Sequence, residues 1–263
     1  MIKLLSCIQN ENMKIYSRIG SRVMIGLLLV LVVVTATIQH FLAIAPTSMW
    51  EFVYMNVEFF ISIMVLFAII IAAGAIAGEF SKGTIKMLLI RPVGRTKILM
   101  SKYISSLLFA LSMLVVTFGF ALLVGGLFFG FESPMQANIS AMDGSIIESV
   151  VLHLLTSVAF VYVDMIMMIT IAFMIATVFT SSALAIGLTI FVRFAGPNVV
   201  LAVQQYDWAK YILFAHLNLR QYIGGASYIE GTTMTFSIIT IIIYFCIFIS
   251  IAWCIFYKRD ITA

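Results

Sequence analysis

Charge is what this chain has least of. Only 10% of its 263 residues are Asp, Glu, Lys or Arg, against 63% hydrophobic, and the mean hydropathy is +1.16. A polar shell around a water-soluble core cannot be drawn from that composition, so a soluble domain is excluded. Cysteine is scarce: Cys7 stands near the start, and Cys246 and Cys254 share one apolar run, which implies neither a disulfide framework nor a thiolate metal site. His40, His153 and His216 lie far apart, with no H-E-x-x-H pair for zinc and no nucleophile elbow, so nothing reads as catalytic. Gly78 and Gly83 have the separation of a phosphate loop, but Thr84 stands where that motif needs lysine and no βα unit surrounds it. Alternating lipid-facing and lumen-facing positions are missing too, which excludes a transmembrane β-barrel.

Long apolar runs are what remains. A hydrocarbon core of roughly 30 Å needs about 20 apolar residues per helix. The spacing predicts six spans, at 23–44, 52–78, 103–130, 150–179, 182–203 and 235–257. Helices close their own backbone hydrogen bonds and are therefore the form these runs take in lipid. No internal repeat or linker divides residues 1–263, which read as one membrane domain.

The cations give an orientation, because Lys and Arg resist translocation and collect on the cytoplasmic side of short loops. With the N-terminus inside, Lys3, Lys14, Arg18, Arg22, the cations of residues 79–102, Lys258 and Arg259 are all cytoplasmic. Only Arg193, Lys210 and Arg220 fall elsewhere, while Glu51, Glu132, Asp143, Glu148, Asp207 and Glu230 fall on the far side. Both termini are expected in the cytoplasm. The net charge of +4 then serves leaflet anchoring, with no nucleic acid implied. Within residues 1–20, Leu4, Leu5, Ile8 and Ile15 can share one helical face opposite Lys3, Asn10, Glu11, Lys14 and Arg18, which suggests an interfacial elbow helix.

The densest charge lies between the second and third spans, where residues 79–102 read EFSKGTIKMLLIRPVGRTKILMSK. Ile85, Leu88 and Leu89 can form one face of a short helix after Gly83, which Pro92 stops, and Thr96 can cap the helix that follows. Positive-inside anchoring alone accounts for the side on which these cations fall. It does not account for Glu79, the Gly83-Thr84 pair and Pro92 at their positions. The order Glu79, Gly83-Thr84, Leu88-Leu89, Arg91-Pro92, Arg95 and Lys102 before a new span resembles the permease subunit of ABC-2 type transporters. The resemblance extends to the amphipathic start, the six-span layout, Leu217-Asn218-Leu219-Arg220, and the ending Tyr257-Lys258-Arg259-Asp260-Ile261.

That resemblance implies half of an export pathway: two six-span subunits, the same or related, driven by two copies of a separate cytoplasmic ATP-binding subunit that holds ATP and Mg. The chain itself would carry no cofactor and no enzymatic activity. Glu79, Lys82, Gly83, Thr84, Leu88, Arg91, Pro92 and Arg95 would form the ATPase-coupling element, in a bacterial cytoplasmic membrane. An amphipathic drug, antibiotic or peptide moving outward is the expected cargo, because the interior offers few charges to solvate an ion. A sodium exporter, with Glu58 and Asp164 as ligands, and a non-transporting sensory or scaffold protein are the competing readings.

Ionisable groups inside lipid are costly and need partners or water, which singles out Glu58, Asp164 and Arg193. If the fourth and fifth spans form a hairpin near Ser181, Asp164 and Arg193 differ in depth by roughly 8 Å, a gap a long Arg side chain covers in large part. A buried Asp164–Arg193 pair, a polar substrate or ion pathway, and an Arg193 that snorkels or pairs with Glu58 all remain open. Gly74 with Gly78, and Gly126 with Gly130, have the spacing of close helix contacts, within the subunit or between two. Met165, Met167 and Met168 read as interior filling. Pro197 is expected to interrupt the fifth helix, and Gly196–Gly231 to form short re-entrant or interfacial helices bearing an aromatic belt with Tyr206, Trp208 and Tyr211.

Overall fold

The structure, a computed structural model, describes residues 4–42, 46–81, 94–133, 150–179, 181–223, 229 and 231–258. Among these there is no strand. A short helix α1 (Leu4–Ser17) leads into six helices long and apolar enough to cross a membrane: α2 (Ile19–Phe41), α3 (Met49–Ser81), α4 (Arg95–Phe129), α5 (Val150–Val178), α6 (Ser182–Val203) and α7 (Met234–Lys258). Three 3-10 turns, Asp207–Tyr211, Leu213–Ala215 and Leu219–Tyr222, lie between α6 and α7.

α3 and α5 are the centre of the bundle. α3 packs against α4, α5 and α6, while α1 lies along α4. The centre is methionine-rich, with Met64, Met113, Met165, Met167 and Met168 fully buried beside Phe52, Phe60, Phe109 and Phe173. Flexible thioethers fill gaps that rigid rings leave. α2, α6 and α7 are peripheral and turn Leu27, Val30, Phe191, Phe194, Ile239 and Ile242 outward, the pattern of helices whose outer face meets lipid.

Several boundaries differ from the sequence expectation, each for a local reason. α3 runs on to Ser81 and α4 begins at Arg95, so Glu79, Arg95, Lys97 and Lys102 sit on the ends of spanning helices. Thr96 lies inside α4, whose N-cap is Gly94 without a side-chain cap. α6 passes straight through Pro197 to Val203. Proline removes one backbone donor and crowds the residue before it. Here that residue is Gly196, which has no Cβ to clash, and the Asn198 amide donates to the Phe194 carbonyl at 2.7 Å.

Within this bundle the glycine pairs do not bring helices together. A Cβ at Gly74 or Gly78 would meet nothing within 4 Å, and one at Gly126 would meet the Phe131 ring. Gly130 instead ends α4 at φ 94°, a conformation that side chains resist, with its N–H returned to the Gly126 carbonyl.

Candidate functional site

Two groups of charged side chains stand apart in this apolar bundle, one at the end that carries Glu79 and one deep between helices. The first gathers Glu11 from α1, Glu79 from α3, and Lys102 from α4. Lys102 is 2% exposed and its Nζ donates to Glu11 Oε2 at 3.0 Å and to Glu79 Oε1 at 3.2 Å. Lys14 adds a second ammonium, 2.7 Å from Glu11 and 3.9 Å from Glu79. Burial opposes ionisation of Glu11, but Lys102 and Lys14 outweigh it and hold the carboxyl below its usual value. α1 therefore turns Glu11 inward beside the buried Ile15, so one carboxylate from the expected polar face docks together with part of the apolar face. Leu5 and Met13 are left outside together with the polar Gln9 and Asn10.

Further bonds tie the same end together. Arg95 Nη1 donates to the Tyr257 carbonyl at 2.9 Å, joining the start of α4 to the end of α7. The Ser182 N–H donates to Ser81 Oγ at 3.2 Å, joining α6 to α3. Of the residues assigned to coupling, Glu79 and Arg95 take part in this framework. Lys82, Gly83, Thr84, Leu88, Arg91 and Pro92 lie outside the described residues.

The second group lines a cavity of about 450 Å³ between α3, α5, α6 and the 3-10 turns. Asp164 and Arg193 face each other there as a two-pronged pair, Nη1 to Oδ1 and Nη2 to Oδ2, both at 3.1 Å. Such a fork is the strongest geometry available to these two groups. Glu58 does not reach Arg193. It accepts from Arg220, which arrives from the last 3-10 turn, and both residues line the same cavity. Arg220 was legible in the sequence only as part of Leu217-Asn218-Leu219-Arg220, not as a partner for Glu58. Its Nε is buried and has no hydrogen-bond partner among the described residues.

What holds Arg220 in place is a polar strap that the sequence reading left out. His216 is 1% exposed, with Nε2 2.7 Å from the Lys210 carbonyl and Nδ1 2.7 Å from Ser237 Oγ on α7. A carbonyl only accepts, so Nε2 carries the proton and Nδ1 accepts from the Ser237 hydroxyl. The Tyr222 hydroxyl, 2.6 Å from Ser237 Oγ, then donates to it. Burial keeps the His216 imidazole neutral by lowering its pKa, against the Lys210 carbonyl, which works the other way. Gly196 completes the seat: a Cβ there would lie 2.3 Å from Phe214 of the second 3-10 turn.

Residues 22–262 match the model of a family described as "Protein of unknown function (DUF2705)". The Bacillus subtilis "Uncharacterized protein YhcI" is 46% identical over 219 residues, 82% of this chain and 70% of that one. The "Uncharacterized membrane protein YdbK" of the same organism is 30% identical over 196 residues, 73% and 76% of the two chains. Together with the six apolar helices, these matches describe a multi-pass membrane protein. The chain belongs to the DUF2705 family.

Proposed function

We propose that this chain is the membrane-spanning permease subunit of an ATP-driven exporter of the ABC-2 type, moving amphipathic cargo outward. Both termini and residues 82–93 face the cytoplasm of a bacterial cell, where two copies of an ATP-binding subunit dock, and a second permease completes the pathway. α1 serves as the elbow at the inner leaflet, and the 3-10 turns lie at the outer one.

One observation carries the reading. The two flanks of residues 82–93 are joined by Glu79, Lys102, Glu11 and Arg95 to α1, α4 and α7, so a force applied to that segment reaches several helices at once. An ATPase working in water needs such a rigid transfer point, because apolar helix surfaces offer it nothing to grip. A soluble partner would meet Lys82, Lys86 and Arg91 there. Sodium export is less favoured, since Glu58 and Asp164 each already accept from a guanidinium.

The test is recovery of an ATPase with the tagged chain. Lys82→Glu with Arg91→Glu leaves Glu79, Lys102 and Glu11 themselves unaltered and is expected to abolish recovery and cargo-stimulated ATP hydrolysis. Unchanged recovery overturns the docking assignment, and hydrolysis that ignores every amphipathic cargo leaves only a scaffold.

A further inference from the structure

The cavity between α3, α5 and α6 holds two carboxylates and two guanidiniums, no net charge, and room. Its floor is closed by Ile61, Val161 and Leu217, all buried. Its mouth is not closed. Glu58 stands on a spanning helix, about 14 Å from the Met49 end at roughly 1.5 Å per residue, with its side chain 68% exposed. A carboxylate facing hydrocarbon at that depth is costly unless something polar covers it. Ser62 and Asn198 are exposed beside it, and Phe194 and Leu201 form an apolar rim on the α6 side.

From this arrangement we infer that the cavity seats the headgroup of a zwitterionic amphiphile, a phosphate next to an ammonium, whose apolar tail leaves past Phe194 and Leu201. Three features select this chemistry. First, the four protein charges cancel, so a ligand with net charge would leave one charge uncompensated in a poorly hydrated place, whereas a zwitterion keeps the balance. Second, the unpartnered Nε of Arg220 is a donor already desolvated by the fold, and a phosphate oxygen is the acceptor that a guanidinium edge fits best. Third, the volume lies within the roughly 300–1,000 Å³ of small-ligand pockets, and the four charged groups stand beside an apolar rim of Phe194 and Leu201, as a headgroup stands beside its tail. The phosphate exchanges contacts with Arg193 and Arg220 while the ammonium takes over Glu58 and Asp164. Each opened ion pair is thereby replaced.

This narrows the cargo of the export reading and rests on it for transport, but not for binding. The test accordingly uses the full chain alone, without an ATPase, purified in maltoside micelles. Native mass spectrometry compares retention of dioleoyl phosphatidylethanolamine, the anionic dioleoyl phosphatidylglycerol and the headgroup-free diacylglycerol. Phosphatidylethanolamine is expected to be held about tenfold better than the other two, and Arg220→Gln to remove about that factor. Leu201→Trp, which blocks the mouth and touches no ion pair, is expected to lose the lipid as well and guards against a misfolded Arg220 variant. Leu27→Ala on the outer face of α2 should change nothing.

Equal retention of phosphatidylglycerol, or wild-type retention in Arg220→Gln or in Leu201→Trp, overturns the assignment. So does a cross-link between two copies through Asn198→Cys that added phosphatidylethanolamine fails to suppress, because the mouth would then be a subunit interface. Lipid binding can fail while ATPase recovery through residues 82–93 succeeds, and the reverse, so the two readings fall separately.

Discussion

The charged framework around Lys102 and the charged cavity around Arg193 contain the same parts, two carboxylates and two cations, yet they are built to opposite ends. Around Lys102 the groups are shared: one ammonium serves two carboxylates from two helices, and the result is a closed knot. Around Arg193 they are paired off: Asp164 takes one guanidinium, Glu58 takes the other, and empty space lies between with one donor unspent. Shared charges resist rearrangement because moving any one strands another. Paired charges next to a cavity can be exchanged one for one with a ligand. The first arrangement transmits force and the second accepts a guest.

The sharpest way to break the contrast is to remove its most buried charge. Lys102→Met removes the ammonium that Glu11 and Glu79 share, and stranding a buried charge costs about 3–5 kcal/mol. Thermal unfolding in detergent is expected to show that loss, with α1 detaching from α4. A variant as stable as the parent would mean that the knot holds nothing.

The cavity pair should behave differently. Asp164→Leu or Arg193→Met alone is expected to cost about 2–3 kcal/mol, less than Lys102→Met because Arg193 keeps partial access to the mouth. The double variant should recover most of that loss, since two apolar groups of similar volume leave no charge stranded. A double variant that loses the sum of both would show that the pair is as interlocked as the knot, and the comparison would fail.

These contrasts were legible in the sequence to different depths. Six spans could be read because continuous apolar runs report membrane thickness directly, and the meeting of Asp164 with Arg193 is a matter of counting residues from a tight turn at Ser181. The reach of Lys102 to Glu11 could not be read. It depends on α1 folding back along α4, and a 14-residue amphipathic helix is equally consistent with either face inward. Arg220 escaped for the same reason: three 3-10 turns and a His216–Ser237 bond decide where it points, and none of them leaves a periodic signal. Pro197 misled, because the rule that proline ends helices ignores a preceding glycine, which has no Cβ for the ring to crowd.

Gly196→Ala probes the seat of the cavity. The new methyl meets the Phe214 ring, and crowding of this kind costs about 1–3 kcal/mol. Because Phe214 lines the cavity, its displacement should also loosen the retention of phosphatidylethanolamine, while α1 and the Lys102 knot stay unchanged. Loss of α1 docking in this variant would mean that the two regions are not separate.

Acid should separate them as well. His216 is held neutral, so the unfolded chain takes up a proton that the folded chain refuses, and the stability this confers is complete above the ordinary imidazole value of 6.5. It is lost as pH falls from there through the lowered folded value. For Glu11 the folded pKa is also lowered, so its contribution is present above the ordinary 4.5 and is lost in stronger acid. Unfolding followed against pH is expected to weaken first at the strap near Tyr222, with His216→Gln removing the upper limb and Glu11→Gln the lower. A single acid limb, or a reversed order, would contradict the assignments.

The smallest effect is the most discriminating about what makes the knot firm. Lys14 lies closer to Glu11 than Lys102 does, 2.7 Å against 3.0 Å, and distance alone would rank it the stronger partner. Its side chain is 43% exposed, however, and an ion pair open to water is screened and loses side-chain entropy on forming. Lys14→Ala should therefore cost less than about 1 kcal/mol, and raising the salt concentration should erase even that. If it instead approached the cost of Lys102→Met, proximity rather than burial would govern these charges, and the deep but open Glu58–Arg220 contact would have to be read as a lock instead of a latch that a ligand can lift.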